Sequence, residues 1–422
     1  MKRVLLLATT TGYQTRVFGE AAERLGVKLV FATDRCDQLE DPWWDGAIPV
    51  RFHQEATTVE AIVTEAERSQ IHGLLAVGDR PTVAAAYAAR LLGLAGHPPD
   101  AVKAARDKRL MRERLREAAL LVPTVSVLSR LDDPGPVALR MAYPVVLKPA
   151  VLSGSRGVIR ADDPQQFIAA CTRLQRLLEA GDVRAMHDPA ADTILVESFI
   201  PGREFALEGL LEQGTLQTLA IFEKPDPLDG PFFEETIYIT PPRVSAGVPE
   251  LIHQAIAEAT LALGLHHGPI HAECRVNSDG VFVLEVAARP IGGLCAQALA
   301  FANNKGETAG LEELLLRHAL GEPVTPWHLA AGAAGVMMIP IPGGGVYRRV
   351  EGVERARQVP HILDLRITAK PDQVLVPLPE GASYLGFIFA RAESADAVER
   401  ALRDAHTALT FVIDRAVPLA GR

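Results

Sequence analysis

The chain has no CxxC pair, no GxGxxG pattern, no excess of basic charge and no long apolar run free of breakers. Each absence removes a class of protein. The four cysteines, Cys36, Cys171, Cys274 and Cys295, stand far apart, which suggests neither a zinc site nor a disulfide framework. They read as reduced core residues of a cytoplasmic protein. A net charge of −9 and a pI near 5.8 argue against a nucleic-acid partner, which needs a basic footprint. Met1-Lys2-Arg3 and the apolar residues after it open like a signal peptide, but the stretch is short and no small-residue cleavage site follows. Leu329 to Val346 is nearly uncharged, yet Pro340, Pro342 and Gly343 to Gly345 interrupt it. It predicts a buried strand ending in a turn and not a membrane span. No internal repeat or low-complexity tract is present.

What remains is an ordinary globular composition, 48% hydrophobic and 23% charged over 422 residues, enough for roughly two to four domains. Residues 1–98 alternate strand and helix: strands at Val4 to Ala8, Val27 to Ala32 and Ile71 to Val77, helices at Arg16 to Leu25 and after Pro81 to Leu92. That order predicts a parallel, doubly wound sheet. The loop Thr9 to Gly12 stands where such sheets bind ligands, but without a glycine fingerprint it is assigned no dinucleotide. A charged helix is expected over Asp100 to Leu120, further helices over Phe167 to Ala180 and Leu251 to Leu263, and a loop over Gly181 to Asp192. Residues after Gly293 to Ala319 are expected to be mostly helical. Strands near Phe205 to Leu211 and Leu216 to Phe222 fit an antiparallel sheet. The last helix starts on Ser394 as N-cap and runs to about Ala408.

Chemistry concentrates in His271 to Gly293, HAECRVNSDGVFVLEVAARPIGG. Two strand-like runs flank Asn277-Ser278-Asp279-Gly280, a hairpin signal. With a three-residue loop, Asn277 faces Val281, Arg275 faces Val283 and Glu273 faces Glu285. Glu273, Glu285 and Arg289 then share one face. Opposed side chains lie about 5 Å apart, where like charges destabilise. A hard divalent cation is one reason to pair carboxylates there; a solvent-facing hairpin with its register one residue off is the other.

Phosphate-binding chemistry elsewhere favours the metal. Lys148 ends the buried-looking strand YPVVLKP, and a lysine there needs an anionic partner. Ser153-Gly154-Ser155-Arg156-Gly157 follows, with small residues that let backbone amides curl around an anion. Its glycines suit a mobile lid. The irregular stretch Glu223 to Arg243 reads as a substrate-facing loop; Glu234, Glu235, Tyr238 and Arg243 are its candidates for amine or carboxylate groups. His271, Gly292 and Gly293 complete the candidate substrate residues.

In this order the motifs resemble those of the ATP-grasp superfamily, and within it the carboxylate–amine ligases related to bacterial L-amino-acid ligases. The resemblance covers essentially the whole chain. It implies α/β and α+β multidomain architecture: a doubly wound pre-ATP-grasp domain over 1–98, a small lobe with the phosphate loop over 99–195, a large lobe over 196–335 and a small C-terminal α+β domain over 336–422. It further implies ATP and Mg²⁺ as cofactors, with Mn²⁺ as a substitute. Lys108 in ARDKRLMRERL and Lys148 resemble the phosphate-binding lysines, and Ser153 to Gly157 the phosphate loop. In VESFIPGREF, Glu197 and the Ile200 backbone match positions around adenine, and Glu204 the ribose carboxylate. Glu273 and Glu285 resemble the metal ligands, Arg289 the arginine on the transferred phosphoryl group. One departure is Ala287, where many relatives carry a ligating asparagine. The expected activity is amide or peptide bond formation through an acyl phosphate, on small-molecule carboxylate and amine substrates. A phosphotransferase or a nucleotide-binding pseudoenzyme are the alternatives, and a homodimer is the default assembly.

Overall fold

A computed structural model describes residues 1–9, 15–34 and 47–414. Most of the Thr9 to Gly12 loop, and Cys36, lie outside the described residues. The N-terminal sheet has four parallel strands in the order Ile48–Pro49, Lys28–Thr33, Arg3–Ala8 and Gly73–Val77. Helices Thr15–Leu25, Glu55–Arg68 and Thr82–Leu91 follow the strands. Val4 to Leu7 are fully buried, as a parallel strand covered on both faces must be.

The single helix expected over Asp100 to Leu120 is two, Pro99–Arg106 and Lys108–Glu117. Asp107 separates them because its carboxylate accepts the N–H groups of Arg109 and Leu110. A side chain that caps a new helix ends the previous one. Lys108 therefore opens the second helix, and it is buried.

Two antiparallel sheets face the cavity described below. The smaller runs Val125–Ser129, Thr193–Ser198, Val145–Pro149, Ile159–Ala161 and packs against helix Pro164–Leu178 through Phe167 and Leu174. The larger has eight strands, Gly280–Ala287, Gly268–Asn277, Arg203–Glu212, Thr215–Lys224, Ile237–Thr240, Ala333–Ile339, Gly386–Ala392 and Ile362–Ile367. Positions 196 and 336, where segments were expected to meet, fall inside strands Thr193–Ser198 and Ala333–Ile339. The C-terminal strands thus extend the large sheet, so Tyr384 and Phe387 reach the cavity.

The run after Gly293 is less helical than expected. It holds a short turn, Cys295–Ala298, and strands Phe301–Asn303 and Thr308–Ala309 before helix Leu311–Ala319. The Asn303 side chain accepts the N–H groups of Lys305 and Glu307, which favours a turn over a continuing helix. The expected loop over Gly181 to Asp192 carries two short helical turns, Gly181–Arg184 and Pro189–Asp192. Leu329 to Val346 contains the buried strand Ala333–Ile339. Ser394 caps the last helix, Ala395–Thr407. No helix among the described residues is long and apolar enough to cross a membrane.

Candidate active site

The hairpin brings Glu273 opposite Glu285 by a different register from the one expected. Asn277 pairs with Gly280, Arg275 with Phe282 and Cys274 with Val283, so the pairs Asn277–Val281 and Arg275–Val283 do not form. The Asn277 side chain accepts the Asp279 N–H at 2.9 Å and Gly280 takes φ +134°, which tightens the turn to two residues. A bulge between Cys274 and Glu273 leaves Leu284 unpaired and restores the carboxylate pair. The Leu284 carbonyl is spent on Arg112. Bulges of this kind re-aim side chains near functional sites.

Each carboxylate already faces a cation. Lys108 Nζ lies 3.6 Å from Glu285 Oε1 and donates to the Leu152 carbonyl. Lys224 Nζ sits 2.8 Å from Glu273, 2.7 Å from Glu204 and 2.5 Å from Glu235. Among the described residues, the three carboxylates with oxygens within 4.8 Å of one another are Glu204, Glu235 and Glu273; Glu285 stands outside that group. Burial alone raises the Glu273 carboxyl, but Lys224 and His271 outweigh it and hold the group well below the usual range. Burial instead prevails at Glu235, which is lifted to about 7 despite Lys224. The donor set is all oxygen, which fits a hard divalent cation such as Mg²⁺ or Mn²⁺.

A second charged cluster lies between the helix Lys108–Glu117 and the small sheet. Lys148 Nζ is 2.6 Å from Glu197 Oε2, and Arg112 Nε is 2.9 Å from Oε1. Burial draws the Lys148 ammonium below its ordinary value, with Glu197 opposing. Burial pushes the other way at Glu197, and there Arg112 and Lys148 prevail, keeping it ionised. Glu204 holds Arg275 at 2.9 Å, and the Ile200 carbonyl accepts from the same guanidinium.

One cavity of about 590 Å³ joins these groups. Lys108, Lys148, Ser153, Gly154, Ser155, Glu197, Ile200 and Glu204 line it. So do Glu235, Tyr238, His271, Glu273, Glu285, Arg289, Gly292 and Gly293. Four expected residues do not line it. Arg156 turns to the Glu380 carbonyl and to Asp182, each at 2.6 Å. The Gly157 N–H donates to Pro379, which ties the loop to the C-terminal segment. Arg243 is taken up by Glu223, Asp396 and Glu399. Glu234 is half-buried and held through the Ile341 backbone. In each case a nearer opposite charge or backbone group claims the residue.

His271 binds Glu208 through Nδ1, with Nε2 at 3.7 Å from Glu273. Burial lowers its pKa, but Glu208 more than reverses this and lifts it to about 9. Glu208 also accepts the Ile291 N–H at 3.0 Å, which fixes the chain just beyond Arg289.

Asp79, Arg112, Glu208, Lys224 and Arg275 are the partners that reading the sequence missed. Lys224 carried a usable signal, because it ends an apolar strand as Lys148 does and a buried lysine needs an anion. Asp79 lay in plain view in the Gly-Asp-Arg-Pro turn, but only the fold brings it to Arg289.

Comparison with known proteins agrees with this architecture. The ATP-grasp N-terminal domain matches residues 19–96, the ATP-grasp domain residues 141–298, and the L-amino acid ligase C-terminal domain 2 residues 337–414. The chain belongs to the ATP-grasp superfamily. Its structure superposes on the L-amino acid ligase of Bacillus licheniformis with a TM-score of 0.80 and 25% identity, covering 98% of this chain and 99% of that one. An uncharacterized protein, y4rH, of Sinorhizobium fredii is 24% identical over 98% of this chain and 84% of its own length. The alanine–anticapsin ligase of Bacillus subtilis is 26% identical over 53% of this chain, a match that spans 49% of that enzyme. Within the superfamily the chain is a carboxylate–amine ligase of the type that carries the L-amino-acid-ligase C-terminal domain.

Proposed function

We propose that this protein joins a small carboxylate, such as an amino acid, to an amine through an acyl phosphate, using ATP and releasing ADP and phosphate. The observation that carries the reading is the juxtaposition of the Glu273–Glu285 pair with Lys108 and Arg289 around one cavity. A carboxylate is a poor acylating agent because its leaving group is an oxide. Phosphorylation supplies a leaving group, and the amine then displaces phosphate.

In this reading Lys108, Lys148 and the Ser153 to Ser155 backbone bind the ATP phosphates, and Glu204 the ribose. Glu197 and the Ile200 backbone border the adenine. Glu273 and Glu285 hold Mg²⁺, which when bound neutralises phosphate charge. Phosphoryl transfer asks mainly for positioning and charge stabilisation, so Arg289 serves by presenting a fork of donors to the transferred group and to the developing oxyanion. Gly154, Ser155 and Gly157 each have positive φ, and Gly157 ties the loop to Pro379. A closed loop excludes water that would otherwise hydrolyse the acyl phosphate.

The test is a MgATP-dependent hydroxamate assay, with hydroxylamine as general amine and a panel of amino acids and small carboxylates. Hydroxamate appearing with ADP supports the acyl-phosphate route and names the acid. A phosphorylated product without hydroxamate points to phosphoryl transfer onto another acceptor and overturns the reading.

A further inference from the structure

We propose that Arg173 and Glu380 are positioning residues of the phosphate loop: with Arg156 they clasp it to the C-terminal segment, and opening of the clasp sets how fast nucleotide leaves. The inference rests on the reading of Ser153 to Gly157 as the loop over the ATP phosphates. Ala382, Ser383 and Tyr384 line the same cavity as Ser153, Gly154 and Ser155. A Cβ on Gly154 would lie 3.9 Å from the Ala382 Cβ, so loop and segment come within one side chain's reach. The segment is shaped by a tight turn in which the Gly381 N–H donates to the Pro377 carbonyl at 2.9 Å. A Cβ on Gly381 would run into the Val376 carbonyl oxygen, so the turn requires glycine there.

This turn is what the loop holds. The Gly157 N–H donates to the Pro379 carbonyl at 2.8 Å, and Arg156 Nε to the Glu380 carbonyl at 2.6 Å. Arg173, on helix Pro164–Leu178, grips the Glu380 carboxylate through Nε and Nη2, the latter 2.7 Å from Oε2. Paired donation from one guanidinium fixes orientation as well as distance, and it holds the Glu380 carboxyl below its ordinary pKa. The same guanidinium lies over the Phe232 ring, with Cζ 5.0 Å from the centroid. Phe232 in turn bridges to Ile159, just after the loop. Arg173 thus stands where the small lobe, the stretch 223–243 and the C-terminal segment meet.

The strength of the clasp suits a part that opens in every turnover. The Arg173 and Glu380 side chains are 43% and 38% exposed, and an exposed ion pair contributes little even when its geometry is good. It biases the loop towards closure without sealing it, as a lid must that excludes water and then lets ADP go. Neither residue lines the cavity, so a change at either leaves the phosphate-binding side chains in place.

Stopped-flow release of a fluorescent ADP analogue from the full chain, with Mg²⁺ present, tests this. We expect Arg173→Ala and Glu380→Ala each to speed release about two- to fivefold, as loss of an exposed ion pair does. The two together should release no faster than either alone, because they remove one contact. Arg173→Lys, which keeps the charge but not the fork, should fall between and keeps the test open should an alanine variant fail to fold. Unchanged release in both single variants overturns the clasp, and so do effects that simply add. Amide exchange over residues 153–158 reads the clasp without nucleotide, and it should quicken in the same variants. Quickened exchange in a chain that binds no MgADP leaves the clasp standing and removes the phosphate-loop reading. MgADP binding with unchanged release and exchange does the reverse.

Discussion

Asp79 grips Arg289 along one edge, with Nε 2.7 Å from Oδ1 and Nη2 3.3 Å from Oδ2. Asp79 lies in the turn after strand Gly73–Val77 of the N-terminal sheet, and Arg289 just beyond strand Gly280–Ala287 of the hairpin. The N-terminal sheet therefore supplies part of the cavity wall. Burial disfavours the Asp79 charge, but Arg289 prevails and keeps it ionised. The Pro290 carbonyl takes a third donor, on Nη1. A guanidinium has five N–H donors, so each terminal nitrogen keeps one for a ligand.

Asp79→Asn retains the shape of this clamp and removes its charge. Turnover should fall about ten- to hundredfold, the usual cost of misplacing a group near reacting atoms, while KM for ATP moves much less. Arg289→Met should lower turnover further, by about 10² to 10³. Steady-state kinetics with ATP and the responding acid measures both. Normal turnover in Arg289→Met would end the role given to that arginine.

Lys224 gathers three carboxylates that otherwise repel one another. They more than offset the burial penalty, so its pKa lies well above the ordinary value. Lys224→Met leaves Glu204, Glu235 and Glu273 without that cation. Breaking a buried pair from one side costs about 3–5 kcal/mol, and melting should show it as a clear drop in Tm. Added Mg²⁺ should recover more Tm in the variant than in the unaltered protein, because the cation replaces lost charge. Equal Mg²⁺ effects on both proteins would contradict the coupling.

The hairpin shows what a sequence can and cannot say. Alternation along His271 to Gly293 and the Asn-Ser-Asp-Gly turn revealed the hairpin, but the register expected from them does not form, and Glu273 meets Glu285 through a two-residue turn followed by a bulge. The bulge at Leu284 was not legible, because it arises from packing against Arg112, a residue far away in the chain. The same holds for Arg156 and Arg243, whose types suited anion binding. Which acceptor each one meets depends on tertiary neighbours, Asp182 and the Glu380 carbonyl for the first, Glu223 and Glu399 for the second. Parallel strands in the N-terminal sheet were plain from the alternation of strands with helices; the shared C-terminal sheet was not, since local pattern carries no record of pairing partners.

Glu197 illustrates a residue whose removal should be felt in stability before nucleotide binding. It is 4% exposed and neutralises both Arg112 and Lys148. Glu197→Gln leaves those two buried cations facing each other, at a cost of about 3–5 kcal/mol. Chemical denaturation should show this loss in the free protein, and saturating MgATP should restore part of it, since phosphates reach Lys148 in the proposed complex. A variant as stable as the unaltered protein would mean that the cluster is worth little.

Histidine burial sets a pH limit on the fold. His97 Nδ1 accepts the His266 N–H at 3.1 Å while Nε2 contacts the Pro269 carbonyl at 3.2 Å. Both contacts are satisfied by one neutral tautomer, and protonation of Nδ1 destroys the first. Burial lowers the His97 pKa to about 4. His318, buried against the His267 ring at 4.2 Å between centroids, is lowered to about 4 in the same way. A histidine whose folded pKa is depressed stabilises the protein fully above its unfolded pKa of about 6.5, and that contribution is lost as pH falls towards 4. Each is worth at most about 3 kcal/mol across that window. Thermal unfolding should therefore give a lower Tm at pH 5 than at pH 7.5. In His97→Gln, whose amide can accept and donate in the two directions, that pH difference should shrink. An undiminished difference would place the acid sensitivity elsewhere.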